Sequence, residues 1–117
     1  MAQIITPLTV VDIEQETQAF DSNKNIPLSF FNDHVVRVGV MTEPFYWHYH
    51  PNSDETFLVT EGILLIDLED RTVELKPGQL FTIPANVNHR TRPLGGRSVN
   101  LTFELAGMET VRNTELT

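Results

Sequence analysis

From Val35 onward short apolar runs alternate with turn residues at intervals of about 8 to 12 positions, the spacing of an all-β sandwich or barrel. Seven runs stand out, at 35–41, 46–50, 55–60, 63–69, 72–75, 80–83 and 98–105, with 89–92 as an eighth. The turns between them have recognisable chemistry. Glu61-Gly62 and Asp70-Arg71 suit hairpins, Lys76-Pro77-Gly78 suits a Pro-Gly turn, and 93–96 suits a looser return. Side chains alternate along a strand, so Leu64, Ile66 and Leu68 share one face while Ile63 and Leu65 share the other with Asp67 and Glu69. An outward apolar pair such as Ile63 and Leu65 needs cover, and a homodimer, or a segment around Val10 and Ile13, would supply it.

Ahead of the barrel the pattern changes. Val10, Ile13 and Phe20 with Asp12, Glu14 and Glu16 between them give a helical spacing over residues 5–20, opened by Pro7 and Thr9. Residues 21–34 read as a polar loop, a short edge segment at Leu28 to Phe31 and a turn. The expected organisation is therefore a single domain, with an N-terminal helix and arm over 1–34 and a barrel over 35–117.

Composition narrows the function classes. Eight Lys and Arg against sixteen Asp and Glu give a net charge of -8, which repels phosphate backbones and anionic lipid, so nucleic acid and membrane are not expected partners. The chain has no cysteine, hence no disulfide, thiolate ligand or iron–sulfur cluster, and this favours a cytoplasmic location. No Lys or Arg precedes Lys24 and the longest aliphatic run is Ile63 to Ile66, so neither a signal peptide nor a membrane span is expected.

The candidate chemistry sits in Trp47-His48-Tyr49-His50. Residues i and i+2 of a strand share a face, so His48 and His50 point the same way with a bite suited to one metal ion. Pro51 to Asp54 can reverse the chain and set Glu55 opposite the two imidazoles. Taken singly, a His-x-His pair, a turn glutamate and the loop residue His89 are all ordinary surface residues, and His34 beside Asp33 is read as one.

The joint spacing is less ordinary. His48-x-His50, four residues, Glu55, six residues, Gly62, followed by Gly78, five residues, Pro84-x-Asn86-x-x-His89, resembles the paired motifs of the cupin superfamily over about residues 35–105. The chain departs from that pattern at Asn86, where the family has Gly, and at Pro93, where it often has Asn. Asn is the non-glycine residue that best tolerates a left-handed backbone, so the first departure is mild. The fifteen residues between Gly62 and Gly78 match small single-domain cupins, which are grouped with mannose-6-phosphate isomerase-like proteins.

The resemblance implies an all-β double-stranded β-helix, or jelly roll, with metal ligands His48, His50, Glu55 and His89 at the barrel mouth. Three imidazoles and a carboxylate accept Fe, Mn, Ni, Co, Cu or Zn as one divalent transition metal. The expected function is binding, and transformation, of a small-molecule ligand by dioxygenase-like or sugar-isomerase-like chemistry; the alternative is a non-catalytic small-molecule or sugar-binding module. Parity places Phe57 and Val59 inward with Glu55, and Leu64, Ile66, Val73, Leu75, Leu101 and Phe103 are expected to line or fill an apolar barrel. Phe45, Tyr46, Trp47 and Tyr49 surround the histidines. Of the basic residues near the site, Arg37, Arg90 and Arg92, the last two have parity opposite to His89 and should point outward.

Overall fold

The computed structural model describes residues 7–116. Its elements are a short helix α1 (Ile13–Thr17) and strands β1 (Lys24–Phe31), β2 (His34–Met41), β3 (His48–Tyr49), β4 (Glu55–Glu61), β5 (Leu64–Leu68), β6 (Thr72–Leu75), β7 (Leu80–Ile83), β8 (His89–Pro93), β9 (Ser98–Leu105) and β10 (Val111–Arg112). A 3-10 turn follows at Thr114–Leu116. The strands form two antiparallel five-stranded sheets, ordered β1-β2-β9-β4-β7 and β10-β3-β8-β5-β6. From β2 to β5 and from β6 to β10 the chain changes sheet at every connection, which is the jelly-roll connectivity expected. No helix among the described residues is long and apolar enough to cross a membrane.

Two apolar layers hold this arrangement. Between the sheets, Met41, Phe57, Val59, Leu64, Ile66, Leu75 and Ile83 are buried together, with Leu68, Val73 and Phe81 against them. On the far face of the first sheet, Leu28, Val38, Val40, Val99 and Leu101 form a second layer, covered in part by Ile13 and Phe20 of the N-terminal segment. Each such aliphatic or aromatic side chain contributes roughly 1.5–3 kcal/mol when fully buried, so the second layer ties the N-terminal segment to the barrel. Asp12 caps α1 by accepting a hydrogen bond from the Gln15 amide, and Arg97 reaches from the turn before β9 to the Thr17 carbonyl and to Glu61.

Several expectations need correction. The helix is shorter than the 5–20 segment, of which residues 5 and 6 lie outside the described residues, and Val10 is exposed rather than packed. The segment read as loop, edge and turn holds a full strand: β1 pairs with β2 from Lys24, with a register shift between Pro27 and Ser29 that hides the alternation of its side chains. Glu61-Gly62 is not a hairpin but the corner where the chain passes from one sheet to the other. Leu101 and Phe103 belong to the outer layer, so the inward side chains of β9 are polar. Leu65 is 8% exposed, flanked in register by Glu74 and Arg92 of its own chain, and offers no apolar row for a partner subunit. Neither Val10 nor Ile13 covers it, because Ile13 packs on the outer layer of the first sheet.

The Gly62 corner is tight. Its φ is +71°, and a Cβ built there would stand 2.4 Å from the Arg97 carbonyl oxygen, a backbone atom that cannot swing away. Gly78 has φ +86° with nothing within 4 Å, and Gly96 has open space around it. Chemical denaturation should therefore rank the alanine variants. Gly62→Ala should be the costliest, above the roughly 1–3 kcal/mol of a left-handed non-glycine residue; Gly78→Ala should fall within that range, and Gly96→Ala near zero. Equal costs at positions 62 and 78 would contradict the close approach.

Candidate metal centre

The four residues singled out by spacing meet at one end of the barrel. His48 lies in β3 and His50 directly after it, Glu55 opens β4 and His89 opens β8. Pairing of β3 with β8 sets His48 opposite His89, and their ring centroids are 4.3 Å apart. The His48–His50 and His50–His89 centroids are 4.9 and 5.4 Å apart. One donor atom from each of the four residues can be chosen so that all lie within 4.8 Å of one another, and all four residues are buried. Asn86, at the family's glycine position, has φ +68°, and its amide donates to the His50 carbonyl, so the loop before His89 is tied to the His-x-His segment.

Backbone carbonyls orient the rings. Nδ1 of His48 donates to the Tyr46 carbonyl at 2.8 Å, Nδ1 of His50 to the Glu109 carbonyl at 2.9 Å, and Nδ1 of His89 to the Val87 carbonyl at 2.9 Å. A carbonyl can only accept, so each Nδ1 carries a proton and each Nε2 is the atom left to serve as a ligand. His89 Nε2 is buried with no hydrogen-bond partner, 3.4 Å from Glu55 Oε1. Such an orphaned acceptor costs about 1–3 kcal/mol unless something fills the point it faces. The donor set and the orphaned atom fit a divalent transition metal.

The electrostatics agree. Burial, with the neighbouring His89, pushes His48 down to about 4. Burial would lower His50 too, but its 3.1 Å contact with Glu55 Oε1 outweighs this and raises it. Burial would raise Glu55, yet the contact with His50 and the nearby His89 imidazole hold its carboxyl well below the usual range. A carboxylate kept ionised in a buried site beside three imidazoles makes a group able to hold a cation.

A cavity of about 410 Å³ opens beside these ligands. Met41, Phe57, Phe45 and Tyr46 give it an apolar side, and Phe45 and Tyr46 stack on each other at 4.1 Å with their edges to His48. Trp47 lies elsewhere, under the Arg90 guanidinium, and Tyr49 is not part of the lining. Polar side chains of β2 and β9, on the same sheet as Met41 and Phe57, complete the lining: Arg37, Asn100, Thr102 and Glu104. The last three were not legible as site residues while Leu101 and Phe103 were assigned inward. The available signal was the strict alternation of Ser98, Asn100, Thr102 and Glu104 with Val99, Leu101, Phe103 and Leu105. Arg90 and Arg92 do point outward, both bonded to Asp67. His34 stays beside Asp33, at 2.7 Å, away from the site.

The depressed His48 has a measurable consequence in metal-free protein. Its folded value of about 4 lies below the 6.5 of the unfolded chain, so between those values the unfolded state binds the extra proton. Stability should be fully present above pH 6.5 and fall as the pH drops towards 4, by about 3 kcal/mol in total from this residue. Urea denaturation of wild type and His48→Gln across that range, with metal removed, would show a slope in the first that is reduced in the second. Parallel profiles would contradict the assignment.

Comparison with known proteins places the chain. The Cupin_2 cupin-domain family matches residues 34–103. Over 92 residues the chain is 46% identical to the uncharacterized protein YdbB of Bacillus subtilis, covering 78% of this chain and 80% of that one. It is 42% identical over 71 residues to protein SchB of Streptomyces halstedii, covering 61% of this chain and only 49% of that longer relative. A cupin-2 domain protein from Shewanella frigidimarina superposes with a TM-score of 0.76 at 25% identity, over 82% of this chain and 94% of that one. Strand order, motif spacing, convergent ligands and these relatives agree: the chain belongs to the cupin superfamily, in the Cupin_2 family.

Proposed function

We propose that the protein is a metal-dependent cupin in which His48, His50, Glu55 and His89 hold one divalent transition metal and the adjoining cavity binds and transforms a small oxygen-bearing molecule. The observation that carries this reading is the unpartnered Nε2 of His89, which completes a set of three imidazole lone pairs and one ionised carboxylate facing a shared point. A metal bound there would act as a Lewis acid towards ligand oxygens, whether for isomerisation or for oxygen-dependent chemistry. The protein's own part is to orient the rings through three backbone carbonyls, to keep Glu55 ionised, and to shield the ligand with Phe45, Tyr46, Phe57 and Met41.

The cavity size suits a single small molecule, being near the lower end of the roughly 300–1,000 Å³ usual for such sites. A sugar phosphate is not favoured. Arg90 and Arg92 are committed to Asp67 on the outside of the barrel, and the guanidinium at the cavity, Arg37, faces the Glu104 carboxyl.

His89→Ala and Glu55→Gln should each lower metal affinity by more than the roughly 10- to 100-fold lost when a supporting hydrogen bond is removed, with far-ultraviolet circular dichroism unchanged. Elemental analysis and dichroism on the same samples check this. Retention of wild-type metal content in both variants would refute the ligand assignment, and loss of β structure would show the ion to be structural.

A further inference from the structure

Packing within the chain does not account for Gly39. It stands in the interior of β2, buried, in register with Asn100 of β9 on one side and with Asn25 of β1 on the other. Its φ is not left-handed and no bulge interrupts the pairing at this position. A Cβ built on it would meet nothing closer than the Asn100 side chain at 3.5 Å, an ordinary contact. A glycine inside a strand weakens it, and often marks a place where a ligand approaches the backbone. Asn100 borders the gap. It is 3% exposed and lines the cavity, and its side-chain amide makes no hydrogen bond among the described residues. Its Oδ1 and Nδ2 stand 3.5 and 3.7 Å from the point a Gly39 Cβ would occupy, so both ends of the amide face the notch. Asn25, turned inward because its neighbour Ile26 packs on the outer layer, borders the notch from the edge strand. A buried amide whose donor and acceptor are both unused is costly to the fold unless something in the cavity completes it.

This notch lies well away from the four histidine and glutamate side chains. Asn100 pairs in register with Val59, four positions along β4 from Glu55, which at ~3.3 Å per residue is about 13 Å along the strand. We propose that Asn100 and the gap at Gly39 form an amide-recognition pocket at the end of the cavity remote from the metal ligands, selecting small molecules that carry a donor beside an acceptor, a primary carboxamide being the simplest. The ligand N–H donates to Asn100 Oδ1 and the ligand carbonyl accepts from Asn100 Nδ2, a two-point pairing that either orientation of the Asn100 amide can make. The space beside Gly39 admits the carboxamide to that edge. The chemical class is a molecule with metal-binding oxygens at one end and a carboxamide at the other, and the separation of the two sites leaves room for a six-membered ring between them.

This inference rests on the metal site of the proposed function, and two matched probes separate their failures. 4-Carbamoylbenzoate carries a carboxylate oxygen pair and, across one ring, a carboxamide; 4-acetylbenzoate has the same shape with a methyl group in place of the amide nitrogen. Titration calorimetry on zinc-loaded protein, with metal content measured before and after, should show the amide binding roughly tenfold more tightly than the ketone. Asn100→Leu should bring that preference to near one. Gly39→Ala, whose methyl group the strand accommodates but which fills the notch, should do the same with a urea midpoint no lower than that of wild type, and so secures the result against misfolding of the leucine variant. Zinc content should match wild type in both. A wild type without preference, or variants that keep it, would overturn the amide pocket alone. A wild type that takes up no zinc would overturn the proposed function and this inference together.

Discussion

Three backbone carbonyls decide what this barrel can do. By accepting the Nδ1 protons of His48, His50 and His89, the carbonyls of Tyr46, Glu109 and Val87 fix the orientation of each imidazole, so that the other ring nitrogen turns to the same small volume. The carboxylate of Glu55 supplies the opposite charge. Without that orientation the same four side chains would be buried polar groups competing for one another's protons. With it they form a group able to bind a metal ion.

The fold delivers those carbonyls from three places far apart in sequence. His48 and His50 are oriented from segments around positions 46 and 109, and His89 from its own loop, so the site depends on closure of the second sheet, in which β10 pairs with β3 and β3 with β8. That closure rests on the inter-sheet core of Met41, Phe57, Leu64 and Ile66. The first sheet carries a second apolar layer on its outer face, which lets its inner face be polar without leaving the sheet uncovered. Val99, Leu101 and Phe103 can face outward under the N-terminal segment, and Asn100, Thr102 and Glu104 can then face the cavity.

The clustering of His48, His50, Glu55 and His89 was legible in the sequence because its elements are local: i and i+2 on one strand, a turn to Glu55, and a Pro-x-Asn-x-x-His loop. Most strands were legible for the same reason, with turn residues bounding β6 and β7 at their observed ends. What escaped depends on long-range pairing. β1 was obscured by Pro27 and the register shift beside it, and β10 has two residues, held by its pairing with β3. The inner face of β9 was misassigned because burial of apolar residues was equated with the barrel interior, whereas this sheet buries both faces. Leu65 was expected to need cover from a partner subunit or the N-terminal segment, yet it is buried within its own chain, in register with Glu74 and Arg92 on the neighbouring strands.

The most direct test of the account is a crystal structure of the protein supplied with a divalent transition metal. The account predicts one ion bound by Nε2 of His48, His50 and His89 and by a Glu55 carboxylate oxygen, each at about 2.0–2.2 Å, with the three Nδ1 contacts to backbone carbonyls retained. An ion held elsewhere, or bound through any Nδ1 of these residues, would contradict it.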